Sequence, residues 1–102
     1  GYKEWGREKP IEELLRVAAK VRGVKWEDLK QRSWNHVERD LAIYLSRESG
    51  EKGLKEIGKV FNIGVAATSH AITRIKCRMK EQKRFEKEVN KAKDEIIKIL
   101  KT

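Results

Sequence analysis

The chain has 102 residues, enough for one modest core and too few for two independent domains. It carries a formal net charge of +9, 38% hydrophobic and 7% aromatic residues, seven Gly, one Pro and one Cys. These values exclude an internal disulfide, argue against a many-turned β fold, and leave no apolar run near the roughly 20 residues of a membrane span.

Residues 1–9 are polar and read as a tail or linker end. The first residue is Gly rather than Met, so the chain is expected to be a piece of a longer protein. Residues 10–102 are expected to form a single all-α domain of five to six helices. Pro10 suits a first helical position, and Glu12 and Glu13 favour the positive end of the helix dipole. Ile11, Leu14, Leu15, Ala18 and Val21 then recur at helical spacing until Gly23. Val24 to Lys30 reads as a short helical turn with Trp26 and Leu29 inward. Asn35 and Glu38 have capping-box spacing and open the next helix. Its predicted buried stripe is Val37, Leu41, Ala42, Tyr44 and Leu45, ending by Ser49-Gly50.

Residues 54–80 have the pattern of a helix-turn-helix. Leu54 and Ile57 supply the inward face of a short first helix, Gly58 permits close approach, and Phe61 and Ile63 plug the corner. Asn62 and Gly64 interrupt it, being types that tolerate left-handed backbone. On the second helix, Thr68, Ala71, Ile72, Ile75 and Met79 fall on one side at about 100° per residue. A last helix over about 83–101 carries Phe85, Val89, Ala92, Ile96 and Ile99 as a narrow 4-3 seam.

Charge is concentrated in the same segment. Residues 1–50 carry a net +2, residues 51–84 a net +6, and residues 85–102 a net +1. A focused basic patch is the electrostatic footprint of a polyanion. In a helix-turn-helix the second helix enters the major groove of a duplex. Ala66, Ser69, His70 and Thr73 are therefore the expected base-reading residues: three short hydrogen-bonding side chains and a methyl for thymine. Lys52, Lys55, Arg74, Lys76 and Lys80 are the expected phosphate contacts.

The order of elements from Ile11 to about Lys76 also resembles a known family. The stretches LLRVAAKVRGVKWEDLKQRS, VERDLAIYLSRE, LKEIGKVFN and SHAITRIK are similar to the C-terminal DNA-binding domain of the bacterial replication initiator DnaA. The resemblance implies a helical core of the Trp-repressor-like type and a basic loop before a long third helix. By it, Arg32 and Arg39 fall near that loop, within reach of phosphates or a minor groove, and His70 falls on the histidine of the family's recognition helix. One departure matters: Ile63-Gly-Val-Ala-Ala67 stands where the initiator carries Arg-Asp-His-Thr-Thr, so the initiator's DNA-box specificity does not carry over. The chain also looks like the helix-turn-helix tail of some bacterial repeat-associated tyrosine transposase-like proteins. The Trp5-Gly6-Arg7-Glu8 entry, the Glu-Ile-Gly helix and Ser-His-Ala-Ile carry that likeness, and it is slightly favoured because those tails lack the initiator signature.

No catalytic function is expected. His36, His70 and Cys77 are too few for a structural zinc site. His70 and Cys77 lie seven residues apart on one helix, about 10 Å, too far for a Cys–His nucleophilic pair. No phosphate-binding Gly loop occurs, so no cofactor is expected. Trp26, Trp34 and Tyr44 read as packing residues, which disfavours stacking on single-stranded RNA. The expected partner is double-stranded DNA in a bacterial cytoplasm, at the nucleoid, with no membrane. The alternative is a protein-interaction module, such as a homodimer through the seam of the last helix, unless that seam packs on its own chain.

Overall fold

The computed structural model describes residues 10–29, 36–50 and 52–101 of the chain. Six helices and no strand occur among them: α1 (Ile11–Arg22), α2 (Trp26–Leu29), α3 (His36–Gly50), α4 (Leu54–Phe61), α5 (Val65–Glu81) and α6 (Lys83–Lys101). Pro10 sits one residue ahead of the expected place, just outside α1, where its carbonyl accepts the Leu14 amide. Gly23 ends α1 in the left-handed region at φ 71°. The Val24 amide reaches back to the Ala19 carbonyl, the backbone closure of a Schellman ending.

The third helix departs from the expected stripe. Every residue from Asp40 to Ser46 is buried, and so are Ser49 and Gly50. A helix enclosed on all sides is a central helix. Helices α1, α4, α5 and α6 all pack on α3, so Ile43 and Ser46, absent from the expected stripe, are as buried as Leu41 and Leu45. Ser46 tolerates this because its hydroxyl donates to the Ile43 carbonyl. At the start of α3 the Arg22 guanidinium holds both Glu38 oxygens, at 2.8 and 3.1 Å, tying the end of α1 to α3. That hydrogen bond raises the Arg22 pKa, against a smaller lowering by burial. Asn35, the expected cap, and Trp34 lie outside the described residues.

Trp26 and Leu29 point inward as expected. The Trp26 ring meets Phe61 edge-on, with centroids 6.2 Å apart, and Arg16 covers it at 5.5 Å. The corner of α4 is thereby seated on α2. Tyr44 is buried, with the Lys93 ammonium 5.6 Å from its ring centre.

The last helix lies against α1, α3 and α5. Phe85, Val89, Ala92 and Ile96 are all buried, so the seam is filled from within the chain rather than left for a second copy. Its end differs from expectation: Leu100 is buried and Ile99 is 37% exposed. A straight helix turns every 3.6 residues and drifts off a strict 3.5 repeat, so the core position after Ile96 falls four residues on, not three.

Candidate nucleic-acid interface

The connection between α4 and α5 is three residues, and each has one task. Asn62 takes the left-handed conformation, φ 56°, and ends α4. The Ile63 amide reaches back to the Gly58 carbonyl at 2.9 Å. Gly64 is extended at φ −78°, so the left-handed role expected of it falls to Asn62 alone. The Gly64 carbonyl accepts both the amide and the hydroxyl of Thr68, at 3.0 and 2.9 Å. Thr68 is fully buried, and this bond satisfies its hydroxyl.

Gly58 sets the spacing of the two helices. A Cβ there would lie 2.6 Å from the Ile63 carbonyl oxygen and 2.7 Å from Thr68 Oγ1. Only a residue without a side chain fits between the turn and α5.

Helix α5 is divided along its length. Thr68, Ala71, Ile72 and Ile75 are buried and Met79 is partly buried against the core, as the spacing predicted. On the other side Ala66, His70, Thr73, Lys76, Cys77 and Lys80 are exposed, and Ser69 is half-buried. Thr73 donates its hydroxyl to the Ser69 carbonyl at 3.1 Å, which leaves its oxygen lone pairs as acceptors. No acidic residue occurs in α5 before Glu81.

The expected phosphate contacts separate into groups. Lys55, Lys76 and Lys80 are exposed and Lys52 is half-buried. Arg39 lies half-buried inside α3. Arg32 is outside the described residues. Arg74 is exposed on α5, but its Nε and NH2 grip the two carboxylate oxygens of Asp40 at 2.8 and 3.1 Å. The bond to Asp40 raises the Arg74 pKa, with burial opposing it, so the guanidinium stays charged. Asp40 is 4% exposed, and its interaction with Arg74 pins α5 to α3.

Two further residues enter the site. Asp40 is one, and its only trace in the sequence is a carboxylate at the head of an otherwise apolar run. Arg47 is the other: it donates to the Lys52 carbonyl across the α3–α4 connection. With Glu48, Leu54, Ser69, Ile72, Thr73 and Lys76 it lines an open concavity of about 620 Å³ beside α5. Arg78, also on α5, instead lies over the Phe85 ring at 4.8 Å. Among the described residues no group of three or more His, Cys, Asp or Glu is placed to hold a metal ion, and no helix is long and apolar enough to cross a membrane.

No family model matches this chain, and neither a curated protein nor a solved structure does.

Proposed function

We propose that the chain is a double-stranded DNA-binding module in which α5 enters the major groove. We further propose that it serves as the DNA-targeting domain of a transposase-like or replication-initiator-like bacterial protein. The observation carrying the first reading is the division of α5: an apolar side held by the core, and an outward side with short polar groups and cations but no carboxylate. A duplex supplies the matching chemistry, base edges within reach of Ser69, His70 and Thr73 and phosphates on either wall for Lys76 and Lys80. Thr73, already donating to its own helix, serves as an acceptor for the exocyclic amino group of adenine or cytosine. The concavity beside α5 sets two cations, Arg47 and Lys76, against one carboxylate, Glu48, a net positive seat for one strand's backbone.

Selection from a random duplex library at stated salt tests this reading, and a recovered consensus is the expected result. On that consensus His70→Ala or Thr73→Ala is expected to cost on the order of 1–3 kcal/mol, and less on random duplex. Equal losses on both would remove the base-reading role. The Lys76→Ala, Lys80→Ala double variant is expected to weaken binding to every sequence and to lower the salt slope by about two. Preferential binding of structured RNA in a direct competition would replace DNA as the ligand.

A further inference from the structure

Asp40 is an unusual residue to find in the centre of this fold. Its side chain is 6% exposed, in the central helix of the bundle, and its partner lies 34 residues away on the outward helix. Burying a carboxylate is unfavourable, and an apolar residue of similar volume often serves a core as well or better. Stability alone is therefore a weak reason for it. Its geometry suggests another. Two parallel bonds to a fixed carboxylate hold a guanidinium in one plane, which a lysine could not achieve. The Arg74 side chain stays 56% exposed, and its two bonds to Asp40 use Nε and NH2, leaving NH1 outside the pair. Arg74 follows Thr73 and lies one turn beyond His70, on the edge of the outward side of α5 away from Lys76.

We infer that Asp40 is a positioning residue for the duplex-binding surface: it holds Arg74 so that NH1 is presented, already oriented, to a phosphate oxygen. The inference rests on the proposed DNA-binding role of α5. A pre-oriented donor loses less rotamer freedom on binding than a free arginine does. Asp40 touches no ligand and acts only through Arg74. Its negative charge is the unusual element: a carboxylate under a DNA-binding face disfavours DNA by simple Coulomb repulsion, yet here it strengthens the contact.

That opposition of sign makes the test sharp. Binding of the 102-residue chain to a mixed-sequence duplex is measured over a salt series for wild type, Asp40→Asn, Arg74→Lys and the Asp40→Asn, Arg74→Gln double variant. Thermal melts confirm that each is folded at the assay temperature. Asp40→Asn makes the chain more positive, so charge alone would tighten binding. The expected result is instead about fivefold weaker binding, the scale of one lost hydrogen bond. Arg74→Lys keeps the charge but loses the fork, and is expected to weaken binding similarly. The double variant is expected to lose about one ion from the salt slope, which a purely structural pair would leave unchanged. Equal or tighter binding by Asp40→Asn, or an unchanged slope in the double variant, overturns the positioning role. Absence of salt-dependent binding by the wild type overturns the DNA reading itself, and this inference with it.

Discussion

Gly58→Val is expected to destabilise the domain by about 3 kcal/mol, the upper range for forcing atoms into a packed site. The new Cβ meets the Ile63 carbonyl oxygen at 2.6 Å and Thr68 Oγ1 at 2.7 Å. Neither can withdraw easily. The Ile63 carbonyl belongs to the turn held by the Ile63–Gly58 bond, and Thr68 is anchored to the Gly64 carbonyl. Gly58→Ala meets the same two atoms, but gains up to about 1 kcal/mol of helix propensity, so its net loss is smaller. Gly64→Ser is the control. A Cβ at Gly64 meets nothing within 4 Å, its φ is ordinary, and serine suits a helix N-cap, so stability is expected to hold or rise slightly. Thermal or urea melts give all three. A Gly58→Val protein as stable as wild type would mean that the two helices are not this close.

The second large effect is expected at Trp26. Removing its indole by Trp26→Ala takes away the edge-on contact with Phe61 and the surface covered by Arg16. Core Trp→Ala changes cost about 3–5 kcal/mol, a large part of the 5–15 kcal/mol that keeps a small domain folded. The melting temperature should fall on the order of 15–25 °C. The loss is expected to reach the proposed interface as well, because Phe61 ends α4 and seats the corner from which α5 departs. DNA binding is therefore expected to weaken even below the melting transition. Trp26→Phe retains part of the contact and should recover part of both. A Trp26→Ala variant with unchanged stability but lost DNA binding would mean that the indole contacts nucleic acid rather than Phe61.

Much of the fold was legible in the amino-acid order, for a plain reason. Helix faces repeat every 3.6 residues, so the buried side of α5 could be listed from Thr68 to Met79 without knowing its neighbours. The Asn62 turn was legible too, since few residue types accept positive φ. The full burial of α3 was not, because it depends on four helices converging on one, and nothing local marks Ile43 or Ser46 as more buried than their neighbours. The same limit applies to the candidate site. Its outward side follows from α5 alone. The engagement of Arg74 by Asp40 does not, because an arginine on a helix has the same sequence signature whether it is held or free. Leu100 replaces Ile99 at the end of the seam because a straight helix departs from a heptad count after a few turns.

Amide chemical-shift mapping during titration with a duplex locates the contact surface directly. The expected result is a continuous set of perturbed residues at Ala66, Ser69, His70, Thr73 and Lys76, extending to Lys52 and Lys55, with the outer surfaces of α1 and α6 unchanged. Perturbation centred on α6, or a spectrum unaltered by saturating duplex, would contradict the assignment of α5 as the DNA-reading helix.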